Sequence, residues 1–180
     1  MRKSNQLLGS LILLRSCFET AAMSIYINLK ISALVDGTTS FAEFNTTIRC
    51  LLEGSKLSDS HTKAINILTV LGHCDKRYPG ILAEYNRLSE IAHPNSMGML
   101  NGYSTFDEQE YVSIMKNQFT QEEWTQIVEH DILACMMMFE HEYNDVFPKL
   151  FERLENWLET NSPKLEKEAQ LTDTNLNLSN

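Results

Sequence analysis

The densest group of residues able to do chemistry is the run Tyr85-Asn86-Arg87-Leu88-Ser89-Glu90-Ile91-Ala92-His93-Pro94-Asn95. An imidazole exchanges protons near neutral pH, and a guanidinium binds phosphate and offsets the charge that develops on it. Such a pair has the means to cleave a phosphodiester, with His93 moving the proton and Arg87 holding the phosphate. On a helix at 100° per residue, Ile81, Leu88 and Ala92 fall at about 320°, 300° and 340° from Tyr85 and make a core face. His93, Asn86, Glu90 and Arg87 fall at about 80°, 100°, 140° and 200°, on the outer side. Arg87 and His93 are roughly 9 Å apart along the axis, a gap the long arginine stem partly closes. The same spacing supports a plainer arrangement: Glu90 is one turn from both and pairs with them on an ordinary solvated face.

Other groupings carry less. Glu90-Ile-Ala-His93 has the Glu-x-x-His spacing of di-iron bundles, but the second such pair that those sites require is missing. Glu129-His130-Asp131 and Glu140-His141-Glu142 set a histidine between acids; adjacent residues diverge around a helix, so a solvated polar stripe is expected rather than a metal site. His61 and His73 read as isolated structural or surface histidines. Cys17, Cys50, Cys74 and Cys135 are irregularly spaced, with no C-x-x-C pair, and read as free thiols suited to a reducing cytoplasm. Met136-Met137-Met138 lies within an apolar run and is expected in the core. No G-x-S-x-G, P-loop or G-x-G-x-x-G motif occurs, so hydrolase, nucleotide triphosphatase and Rossmann readings have no support, and no cofactor or metal is expected.

The elements that must position these groups are helical. Residues from about 5 to 35 repeat apolar side chains every three or four positions and stop at Asp36-Gly37. Ser40-Phe-Ala-Glu43 is a capping box that opens a helix ending at Gly54. A third helix is expected from about Ser60 to Cys74, and a fourth between Pro79 and Pro94. Residues 96–118 read as a small β-hairpin insert, with strand-like composition at Tyr103–Phe106 and Tyr111–Met115. Thr120-Gln-Glu-Glu123 caps a long helix that Pro148 is expected to kink or break. The result is a mainly α bundle of about six helices in one domain over residues 1–160, followed by a polar tail, 161–180, expected to be disordered.

With 180 residues, 43% hydrophobic and 22% charged, the chain is long enough to bury one core. The net charge of −9 argues against coating nucleic acid by bulk electrostatics. The charge is uneven: residues 1–60 and 61–106 carry +1 each, and 107–180 carry −11. A polyanion can therefore approach the third and fourth helices without crossing the main acidic field. The longest uninterrupted apolar run, Ile132 to Phe139, is far short of the roughly 20 residues of a bilayer span. No membrane association is expected.

Leu14-Arg-Ser-Cys-Phe-Glu-Thr-Ala-Ala22, Ile65-Asn-Ile-Leu-Thr-Val-Leu71, and Arg77-Tyr-Pro-Gly80 leading into Leu88-Ser-Glu-Ile-Ala-His-Pro-Asn95 resemble uncharacterised bacterial HEPN-like proteins over about residues 10–160. Arg87 followed after five residues by His93, near the end of a helix, is similar to the signature of the HEPN superfamily. The resemblance implies a metal-independent endoribonuclease of a toxin or phage-defence type, active as a homodimer. His93 would be its catalytic acid or base and Arg87 its phosphate-binding group, with Glu90, Asn95 and Asn86 in support. RNA and an antitoxin are the partners it implies. Leu88 departs from the polar residue common after the arginine in active members, and inactive binding modules share the fold. A non-catalytic helical module that binds a protein or nucleotide partner therefore stands beside the nuclease.

Overall fold

In the computed structural model, which describes residues 7–55, 62–93, 100–118 and 122–177, one helix organises the rest. Helix α1, Leu7–Val35, buries Leu11, Leu14, Phe18, Ala22, Ile25 and Ile31 along its length. Around it pack α2 (Phe41–Leu52), α3 (Ile67–Cys74), α4 (Ile81–Ala92), α6 (Glu122–Glu140) and α7 (Phe147–Asn177). By length and composition α1 alone among the described helices could cross a bilayer, with a mean hydropathy of 1.3. Here its apolar residues form the common wall of the bundle core.

The stops and starts follow local chemistry. Gly37 adopts φ +72°, and the amides of Gly37, Thr38 and Thr39 turn back onto the Leu34 and Ala33 carbonyls, closing α1 where expected. Ser40 Oγ accepts from the Glu43 amide at 3.2 Å, so the capping box opens α2. Gly54 is required by close approach, because a Cβ there would meet the Cys50 carbonyl at 2.2 Å and the Ala64 Cα at 2.5 Å.

Helix α3 begins later than the sequence suggests. Thr62 to Ile65 are not helical, and Asn66 caps the helix by accepting from the Leu68 amide at 2.9 Å. Gly80, at φ +101°, leads into α4, where Asp75 Oδ1 accepts from the Gly80 and Leu82 amides. The expected insert is present: a single helical turn, α5 (Asn101–Tyr103), precedes antiparallel strands β1 (Ser104–Asp107) and β2 (Val112–Met115), with Ser104 opposite Met115.

Pro148 does not break the long C-terminal helix. Helix α6 passes through a π-helical turn, His141–Val146, directly into α7, and Pro148 follows that turn as the second residue of α7, where the wider turn accommodates a residue with no N–H. The chain from 161, expected to be a disordered tail, continues α7 to Asn177 and includes Pro163. Leu, Glu, Lys and Ala dominate residues 165–171, and their helix propensity outweighs the polarity that suggested disorder.

Candidate functional site

Helix α4 presents the expected polar face. Ile81, Tyr85, Leu88 and Ile91 are buried and Asn86 and Glu90 are exposed, as the helical phase requires; Ala92, expected on the core face, is half-buried, and His93 is exposed. His93 is the C-cap: its amide donates to the Ser89 carbonyl at 3.0 Å and its backbone turns extended, so it leaves the helical phase. Pro94 and Asn95 lie outside the described residues.

Arg87 does not point toward free space. Its guanidinium donates to Glu84 from both Nε and Nη2, and Nη2 also reaches Asp131 Oδ2 at 2.6 Å. Asp131, on α6, is 6% exposed and lies 3.3 Å from His130 Nδ1. Burial, then the neighbouring Glu84, push the Asp131 carboxyl above the usual carboxylate range. Burial opposes charge on Glu84 too, but Arg87, Asp131 and His130 outweigh it and hold that carboxyl below the usual range. Arg87 thus joins α4 to α6, with two carboxyl groups already sharing its charge.

A second polar chain ties α4 to α1. Arg15 Nη2 donates to the Tyr85 hydroxyl at 2.7 Å, and that hydroxyl donates to Glu19 Oε1 at 2.8 Å. The buried Tyr85 ring therefore keeps its polar end satisfied.

The most deeply placed charged group in the described residues is Glu142, fully buried at 0% exposure in the π-helical turn. Oε1 accepts from Arg77 Nε at 2.6 Å and from the Tyr78 hydroxyl at 2.7 Å. Oε2 accepts from Asn28 Nδ2 at 2.7 Å. The same amide nitrogen donates to the Glu142 carbonyl at 3.1 Å, so Asn28 holds both the side chain and the backbone of the turn. Two acceptors fix the orientation of the Asn28 amide, which leaves its buried Oδ1 without a hydrogen-bond partner among the described residues. Burial first and the hydrogen bond to Glu142 second raise the Tyr78 hydroxyl above its usual value. Burial, then Glu142, push the Cys74 thiol up to about 12; it donates to the Ala22 carbonyl and is a packing group rather than a nucleophile.

The solvated stripe expected for Glu129-His130-Asp131 and Glu140-His141-Glu142 is thus only partly found. Glu129, His130, Glu140 and His141 are exposed, but Asp131 and Glu142 turn inward as structural acids. Among the described residues no group of three or more histidines, cysteines and acids could hold a metal. Met136 and Met137, expected in the core, are 64% and 60% exposed, because residues 132–139 of α6 are apolar around the helix and only one side faces the bundle. Met138 alone of the three packs on the core.

Neither protein-family models nor curated proteins nor solved structures give a match to this chain.

Removing Glu142 takes the shared acceptor from the exposed Arg77 guanidinium, the half-buried Tyr78 hydroxyl and the buried Asn28 amide. Glu142→Ala is expected to cost about 2–4 kcal/mol in urea unfolding, from the buried amide left unsatisfied and the space left behind. Glu140→Ala, two residues away and exposed, should stay within about 0.5 kcal/mol.

Proposed function

We propose that the chain is a non-catalytic helical interaction module that pairs with a second copy of itself through the outward face of α6. The observation that carries this reading is the exposed apolar stripe formed by Ile132, Leu133, Met136, Met137, Phe139, Tyr143 and Phe151. The stripe is continuous into α7: Phe139 stacks on Tyr143 at 5.5 Å, Tyr143 on Phe147 at 6.4 Å and Phe147 lies 5.5 Å from Phe151. A pocket of about 180 Å³ opens beside it, lined by Ser24, Ile27, Asn28, Glu142, Tyr143 and Phe147.

The size of the stripe supports a stable partner. A large side chain that is half exposed shows roughly 100 Å², so the seven present on the order of 700 Å², close to the 800 Å² per partner of a standard interface. Patches of this extent mark interaction surfaces. A second copy fits because a single helix face, turned about a two-fold axis, meets an identical apolar face. Methionine adapts to such packing.

Sedimentation should find a dimer at micromolar concentration, and Leu133→Glu combined with Met137→Glu should weaken it by at least a hundredfold with circular dichroism unchanged. A wild-type monomer, or a dimer indifferent to these substitutions, contradicts the reading.

The resemblance to HEPN-like proteins supports a second reading, the metal-independent endoribonuclease, and the observation in its favour is the solvent-exposed imidazole of His93 at the end of α4. Against it stands the engagement of Arg87 by Glu84 and Asp131, which leaves little field for a phosphate. Incubating the protein with RNA in EDTA separates the two. The interaction module leaves RNA intact, whereas the nuclease cleaves it and loses cleavage in His93→Ala.

A further inference from the structure

On the opposite side of Glu142 from the apolar stripe's pocket, α1 and the segment that joins α3 to α4 enclose an open basin of about 370 Å³. Lys30, His73, Lys76 and Arg77 contribute its polar wall, and Tyr26, Leu29 and Ala33 its apolar one. No carboxylate is among the lining residues. Asp75, adjacent in sequence, has its Oδ1 committed to the Gly80 and Leu82 amides. Among the described residues no carboxylate pairs with Lys30 or Lys76, and the Lys30 ammonium lies 5.1 Å over the Tyr26 ring.

We propose that this basin binds a small phosphomonoester, with its phosphate among Lys30, His73, Lys76 and Arg77 and its organic part against Tyr26, Leu29 and Ala33. Lys30 and Lys76, with no carboxylate paired to either among the described residues, gather with His73 beside an Arg77 whose charge Glu142 already meets, and an anion relieves the positive charge left over. The walls are rigid. The Arg77 Nε is fixed on buried Glu142, which commits one edge of its guanidinium and leaves the other for a ligand oxygen. Tyr26 is buried, and its ring lies 5.4 Å from that of His73. The volume lies within the range of small-molecule sites, roughly 300–1,000 Å³. The mixed wall favours an ester over the bare ion, because inorganic phosphate leaves the apolar half of the basin unfilled.

His73 reports occupancy. Burial, then Lys30 and Lys76, hold its imidazole below the usual 6.5, with Arg77 and Tyr26 also at the basin. A dianion offsets these cations and raises the imidazole value, so binding tightens as pH falls through the histidine range.

The test is calorimetry with phenyl phosphate and with inorganic phosphate, joined to an NMR titration of the His73 ring. Phenyl phosphate should bind in the micromolar to millimolar range, at least several-fold tighter than inorganic phosphate, and should move the His73 midpoint upward. Lys30→Gln and Lys76→Gln should each weaken it several-fold and together at least tenfold. Arg49→Gln, which removes a cation on α2, should leave binding unchanged. The proposal is overturned by absence of binding, by equal affinity for the two probes, by a His73 midpoint that stays put, or by an Arg49→Gln loss equal to that of the basin variants.

Discussion

A carboxylate with no access to water has to be answered on every side, and Glu142 is answered by three residues from two separate parts of the chain. Arg77 and Tyr78 come from the segment that joins α3 to α4, and Asn28 from the middle of α1. Each partner satisfies an oxygen that would otherwise bear the full cost of desolvation. Because Asn28 also holds the Glu142 carbonyl, the constraint extends to the backbone, and it coincides with the one wide turn between α6 and α7. A π-helical turn shifts the phase of everything after it. It turns Glu142 inward while Tyr143 stays on the outer stripe.

Two surfaces meet this centre from opposite sides. On one, the aromatic ladder and its pocket share Asn28, Glu142, Tyr143 and Phe147. On the other, Arg77 is both the partner of Glu142 and a wall of the cationic basin. The protein is strongly acidic as a whole, yet its positive field is concentrated where α1 faces the turn before α4. The Arg87 cluster behaves differently. There Glu84 and Asp131 neutralise the guanidinium and spend it on joining α4 to α6. Two arginines ten residues apart thus have opposite settings: Arg77 meets one carboxylate and several cations, and Arg87 meets two carboxylates.

What the sequence made legible was local. The apolar period of α1 and its stop at Gly37, the box at Ser40, the phase of α4 and the hairpin all depend on residues within a few positions of one another, and all are found. The start of α3 expected at about Ser60 is too early, because Ala64 and Ile65 continue its apolar period; the structure starts it after the Asn66 cap. What was hidden depends on distance in the chain. Nothing near Glu142 announces that Arg77, 65 residues earlier, will pair with it, and Glu140-His141-Glu142 looks like any solvated stripe until a π-helical turn redirects its last member. The Arg87–His93 pair was visible as a spacing; that Asp131 would claim Arg87 required α4 and α6 both to pack on α1. Met136 and Met137 misled for a related reason, since a stretch of helix apolar on all sides gives no sign of which side the bundle covers.

The central claim is that the Arg77–Glu142 pair is a strongly coupled unit on which both surfaces rest. A double-mutant cycle with Arg77→Met, Glu142→Gln and the double variant, read by urea unfolding, measures it directly. A coupling energy of about 2 kcal/mol or more is expected, because Arg77→Met leaves the fully buried Glu142 carboxyl without its cation. Single effects that simply add, to within about 0.5 kcal/mol, would contradict it and leave Glu142 an ordinary buried acid held by Tyr78 and Asn28 alone.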